Sequence, residues 1–105
     1  MLNQKDINDF ETLKQDAMRR LPQRTILPVV NQRLYLNKDG SWDVRFMMSG
    51  YSMGKPTLRN LLKQFVFAVS GIQPTDKQVE KAEPMVLERL TESIRQSLGG
   101  LQTNS

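Results

Sequence analysis

Cysteine and histidine are both missing from the 105 residues. Without cysteine there is no disulfide framework and no thiol nucleophile, and without the pair there is no Cys/His zinc site. Imidazole is also the usual general base near neutral pH, so histidine-centred triads are excluded as well. An enzyme built on this chain would depend on carboxylates, lysine, tyrosine or a hard metal ion. Long apolar runs are absent too: no stretch approaches the roughly 20 residues of a membrane-spanning helix. The first residues, Met1-Leu2-Asn3-Gln4-Lys5-Asp6, lack the basic-then-apolar layout of a secretory signal. Cytoplasmic residence with no membrane partner is the expectation.

Acidic residues are scarce in the middle of the chain. Residues 17–72 hold nine bases against Asp39 and Asp43, a local charge of +7. Residues 1–16 hold two bases and four acids, and residues 73–105 four bases and five acids, so the net +4 conceals a basic centre between two mildly acidic ends. A local excess of this kind is the electrostatic footprint of a polyanion ligand. Composition is otherwise that of an ordinary globular domain, 38% hydrophobic and 25% charged, and the length suits one domain over 1–105 with a single modest core.

Residues 30–48 predict a two-stranded hairpin. Asn37-Lys38-Asp39-Gly40 followed by Ser41 has the side chains for a type I turn, closed by a left-handed glycine in a G1 bulge. That loop sets Leu36 opposite Trp42, Leu34 opposite Val44, Gln32 opposite Phe46 and Val30 opposite Met48 on one face. Alternation then puts Arg33 opposite Arg45 and Tyr35 opposite Asp43 on the other, with Met47 nearby. Like charges directly opposite repel, so the arginine pair calls for a structural reason or an anionic partner.

Around the hairpin the pattern is helical. Residues 3–21 form an amphipathic helix capped by Asn3 or Asp6, with Ile7, Phe10, Leu13, Ala17 and Leu21 on one stripe, and Pro22 ending it. Thr25–Val30 is β-prone, with Pro28 marking an edge or bend. Ser49-Gly50 suggests a turn, and Tyr51-Ser52-Met53 a short third strand. A second helix starts at Thr57, buries Leu58, Leu61, Leu62, Phe65, Val66 and Val69, and stops at Gly71. Phe67 falls off that stripe. Thr75-Asp76-Lys77-Gln78 is a capping box opening a third helical region. Pro84 should kink or break it at Glu83, Leu87, Leu90, Ile94 and Leu98 form its seam, and Gly99-Gly100 end it before a disordered tail at 101–105.

Few motifs carry chemistry. Gly50-Tyr51-Ser52-Met53-Gly54-Lys55-Pro56-Thr57 has the look of a phosphate loop, but the first glycine is one residue too close and Pro56 stands where a hydroxyl should bind magnesium. A helix N-terminus beside Lys55 can still hold a backbone phosphate. The carboxylates form no acid–base or metal pair at fixed spacing, so no catalytic residue, metal or cofactor is assigned. Two runs resemble known families. Gly40-Ser41-Trp42-Asp43-Val44-Arg45-Phe46, then Gly54 and a helix, resembles the strand–strand–helix of arm-binding domains of tyrosine integrases, over about a third of the chain. Pro56-Thr57-Leu58-Arg59-Asn60-Leu61 is similar to a run in coat proteins of flexible filamentous plant viruses. Both families bind nucleic acid, and what the resemblances imply is the same for this chain.

The expectation is thus an α+β domain: an N-terminal helix, an antiparallel hairpin of two or three strands, then two to three helices on one sheet face. The leading function is a non-enzymatic, oligomeric module binding DNA or RNA. Arg19, Arg20, Arg24, Arg33, Arg45, Lys55 and Arg59 would contact phosphates and Tyr35 would stack on a base. The alternative is a protein–protein module, a small adaptor, chaperone or assembly factor. It would use the open sheet face with Met47, Phe67 and the Leu90/Ile94 seam, toward a second copy or another protein.

Overall fold

The computed structural model describes the backbone of residues 2–103 and the side chains of residues 2–100. Its elements are α1 (Gln4–Arg20), β1 (Thr25–Val29), β2 (Gln32–Leu36), β3 (Trp42–Phe46), β4 (Ser49–Gly54), α2 (Leu58–Ser70) and α3 (Asp76–Thr103). The strands form one antiparallel meander in the order β1-β2-β3-β4. The class is α+β, and the sheet has four strands rather than two or three.

The central hairpin has the register read from its turn: Leu36 opposite Trp42, Leu34 opposite Val44 and Arg33 opposite Arg45. Gly40, at φ 91°, donates its N–H to the Asn37 carbonyl at 3.0 Å, and Asn37 N–H reaches the Ser41 carbonyl at 2.9 Å. Asp39 locks the loop by accepting from both the N–H and the hydroxyl of Ser41, at 2.9 and 2.6 Å. A side chain at position 40 would have to adopt a left-handed backbone, which glycine does at no steric cost.

The expected pairing of Val30 with Met48 does not form. The strands end sooner, and two-residue turns at Val30-Asn31 and Met47-Met48 join β1 to β2 and β3 to β4. Ser49-Gly50 therefore belongs to a strand and not to a turn. Val30 (φ 46°) and Met47 (φ 54°) each take a left-handed backbone, the first position of a type II′ turn and ordinarily a glycine site. A β-branched residue there is strained. Pro28 is accommodated because β1 is an edge strand.

All helices lie on one side of the sheet. Asn3 caps α1 by accepting from Lys5 N–H, Thr57 caps α2, Gly71 ends α2 at φ 74°, and Thr75 and Gln78 exchange hydrogen bonds of 2.9 and 3.2 Å as a capping box. Pro84 does not break α3. It sits exposed inside one continuous helix that also runs through Gly99 and Gly100. A proline there removes one hydrogen bond to Glu80 but leaves the buried stripe of α3 in phase, and packing outweighs the local loss. Of the tail expected to be disordered, α3 includes 101–103, and 104–105 lie outside the described residues.

The core is one cluster. It joins Leu27, Val29, Leu34, Leu36, Trp42 and Val44 from the sheet to Phe10 and Ala17 of α1, Leu61, Leu62 and Phe65 of α2, and Val86, Leu87, Leu90, Ile94 and Leu98 of α3. Each leucine so buried is worth roughly 2 kcal/mol. Leu90 and Ile94 are 0% exposed, so neither can serve as an interface, and the alternative reading loses its helix seam. The seam is apolar because it faces α1, α2 and β1. Among the described residues no helix is long and apolar enough to cross a membrane.

Candidate functional site

With helices on one side, the opposite face of the sheet is left open. Register places Ile26, Tyr35, Asp43 and Ser52 in one cross-strand row and Pro28, Arg33, Arg45 and Gly50 in the next. The second row is flat at its β4 end for a steric reason. A Cβ at Gly50 would come within 2.9 Å of the Val44 carbonyl oxygen, so no side chain can rise there beside Arg45.

The first row neutralises itself. Arg24, from the segment before β1, lays its guanidinium 4.0 Å from the centroid of the Tyr35 ring and reaches Asp43 at 3.5 Å. Asp43 also accepts from Asn37 Nδ2 at 3.2 Å. The consequence for Tyr35 is decisive: it is 5% exposed, and Arg24 already occupies its face. Tyr35 is not available to stack on a base. Its neighbours hid this in the sequence, since the arginine that covers it is eleven positions away and reaches it only through the strand pairing.

The second row does not neutralise itself. Arg33 and Arg45 are both exposed, and no carboxylate lies within ion-pair distance of either among the described residues. Directly opposed side chains have Cβ atoms about 5 Å apart, so two like charges face each other here at a cost. Arg45 stands between two depressions, one of about 290 Å³ toward Arg24 and Met48, and one of about 530 Å³ toward Arg33, Val30 and Met47. Among the described residues Asp43 is the only acid lining either.

The remaining predicted cations fall into two other places. Arg19 pairs with Asp16, and Arg20 is exposed beside it at the end of α1. Lys38 donates to the Leu21 carbonyl at 2.7 Å, so the hairpin loop docks near this corner. Lys55 sits by the same loop: its Cε approaches Gly40, and its charge adds to the hydrogen bonds from Ser41 that hold the Asp39 carboxyl below its ordinary range. Arg59 and Lys63 turn instead to Asp76, at 3.9 and 3.8 Å. Arg59 thus shares a single carboxylate with Lys63 on α2, a helix on the other side of the sheet from the open face. Gly50 to Thr57 builds no phosphate cradle, since six of its eight residues continue a strand or cap a helix.

Two features were not anticipated. The hairpin tips Val30 and Met47 are 76% and 79% exposed and Met48 is 100% exposed, whereas the sequence pairs Val30 with Met48 on the face that carries Leu34 and Leu36. The two-residue gaps that create these tips carry Val-Asn and Met-Met, with none of the glycine that marks such turns. The second is a groove of about 570 Å³ on the helix side of β3 and β4, lined by Phe46, Tyr51, Phe67, Ala68 and Val69. Phe67, expected as a contact, is half-buried in its wall. A chain of polar groups crosses it: Tyr51 hydroxyl donates to Gln64 Oε1 at 2.6 Å, and Gln64 Nε2 donates to Gln32 Oε1 at 3.3 Å. Partial burial raises the Tyr51 hydroxyl above its ordinary pKa.

No group of three or more acidic residues is disposed to hold a metal ion among the described residues. Comparison with known proteins finds no matching family model, no matching curated protein and no matching solved structure, so neither family suggested by the short sequence runs is supported by a match.

Proposed function

We propose that this chain is a non-enzymatic nucleic-acid-binding module whose contact surface is the open sheet face, with Arg33 and Arg45 as its phosphate-binding pair. The observation that carries the reading is the juxtaposition of these two arginines across β2 and β3, with no carboxylate among the described residues to offset them. A phosphate between them turns a repulsion into two charge-assisted hydrogen bonds. The flat Gly50 position and the depressions flanking Arg45 leave room for a backbone to approach. Arg20 and Lys55 supply further positive charge at the hairpin loop. With Tyr35 buried, recognition rests on phosphates more than on stacking, which predicts weak sequence preference and strong salt dependence.

The test is anisotropy of labelled single- and double-stranded oligonucleotides at low and high salt. Arg33→Glu with Arg45→Glu should abolish binding while leaving the helical circular dichroism intact. Arg33→Ala with Arg45→Ala should reduce the slope of log affinity against log salt by about 2. Absence of binding at low salt, or a double glutamate variant that binds as well as the parent, overturns the proposal. One observation favours a protein partner instead: the exposed Val30, Met47 and Met48 beside this face. Substituting all three with serine should leave nucleic-acid affinity within about twofold if phosphates dominate.

A further inference from the structure

The two edges of the sheet are not equivalent. At β1, Pro28 has no N–H to offer, a familiar way of blunting an edge. At β4 no proline interrupts the row. No strand lies beyond it, and Ser49–Met53 make no backbone hydrogen bond outside the β3 ladder among the described residues. The bulge that could twist this edge away falls at its far end, where Trp42 pairs with Gly54 and Asp43 with Ser52. Residues 49–52 are left as a regular, uncovered edge.

We infer that β4 is a self-pairing edge: two copies of the chain join through antiparallel β4–β4 contact, fusing their sheets into one of eight strands. Unpaired backbone donors and acceptors in an extended row are complementary to another extended strand, and three facts select this chain's own β4. Ser-Gly-Tyr-Ser-Met-Gly contains no charged residue, so a two-fold axis through it sets no charge against its like. Tyr51 is the bulky residue on the inner side near the middle of the strand, flanked by Gly50 and Ser52 on the other side. The two-fold brings the Tyr51 rings together at the mouths of the two apolar grooves, where Phe46 and Phe67 already stand. Finally, the blunted β1 cannot accept β4 of another copy, which removes the head-to-tail pairing that would grow a filament and leaves the closed dimer. On the open face, the Arg45 side chains of the two copies would be three strand spacings apart, roughly 14 Å. That exceeds the screening length at physiological salt, about 8 Å.

This pairing depends on a backbone edge and not on the arginines, so it stands or falls separately from nucleic-acid binding. Sedimentation velocity of the full chain, from about 5 to 500 μM, should show a reversible monomer–dimer equilibrium. Tyr51→Lys, which sets two ammonium groups beside the axis, should weaken dimerisation at least about tenfold. Because the chain has no cysteine of its own, Tyr51→Cys and Ser52→Cys supply a second readout. Mild oxidation should cross-link at least one of them about ten times faster than Thr12→Cys, on exposed α1. A chain that stays monomeric across the range, or cross-linking no faster than at position 12, overturns the inference. So does dimerisation that Tyr51→Lys leaves unchanged.

Discussion

The two faces of the sheet are built from alternate residues of the same strands and have opposite characters. On β2 and β3 the inward set is Leu34, Leu36, Trp42 and Val44, all buried, and the outward set is Arg33, Tyr35, Asp43 and Arg45. The inward residues have the helices as partners. The outward residues have each other, and only half of them are satisfied by that: Tyr35 and Asp43 are covered or paired by Arg24, while Arg33 and Arg45 are left facing one another. Alternation separates what holds the fold together from what is free to bind, and the unsatisfied part of the outward set is the informative one.

The comparison breaks most visibly in stability. Leu34→Ala removes a side chain with no exposure and should cost about 3 kcal/mol in urea unfolding. Arg33→Ala, one residue away on the same strand, should change stability by less than about 0.5 kcal/mol, or raise it slightly by relieving the repulsion from Arg45. A loss at Arg33 equal to that at Leu34 would mean the outer face is structural. Between these extremes lies Arg24→Ala, expected to cost about 1 kcal/mol. Most of that is lost packing over Tyr35 and little is the ion pair, since Arg24 is substantially exposed and screened.

These contrasts also show what was legible in the sequence. The β2–β3 register followed from Asn37, Asp39 and Gly40, because each of those side chains has a physical use in a G1-bulge loop. The caps at Thr57, Thr75 and Gly71 were legible for the same reason, and Asn3 was one of two candidates for α1 with Asp6. The outer hairpins were not, because Val30 and Met47 hold left-handed positions that turn chemistry assigns to glycine, so tertiary packing has overridden local preference. Pro84 misled in the opposite sense: its local cost is real, yet the stripe from Val79 to Leu98 continues through it. For the candidate site, the arginine pair could be read from alternation alone. The burial of Tyr35 and of Leu90 and Ile94 could not, since burial depends on what other elements bring to them. The open β4 edge was hidden by taking Ser49-Gly50 for a turn.

The strained tips offer a smaller test. Val30→Gly places the residue natural to a type II′ turn at φ 46° and should raise stability by about 0.5–1 kcal/mol, despite glycine's greater entropy loss on folding. The same change at Arg33, three residues further on and inside β2, should lower it. If Val30→Gly destabilises instead, the exposed valine is making contacts that its position does not suggest.

The smallest effect concerns the loop that decides which residues face which way. Asp39 is fully exposed, but the Ser41 hydroxyl, the Ser41 N–H and then Lys55 all favour its charged form, so its pKa is lower in the folded chain than in the unfolded one. Such a group contributes stability that is complete above the ordinary carboxylate range, about pH 4, and fades as pH falls through the lower folded value. Asp39→Asn should therefore cost a little stability at pH 7, and that difference should shrink as the pH falls below the ordinary carboxylate range. Urea midpoints of parent and variant at pH 7 and below that range measure it directly, since the other carboxylates are common to both. The register itself should survive in acid, because a one-residue slip would turn Leu34, Leu36, Trp42 and Val44 to water and bury Arg33 and Arg45. The loop tunes the hairpin, and the alternation of leucine with arginine is what keeps the two faces apart.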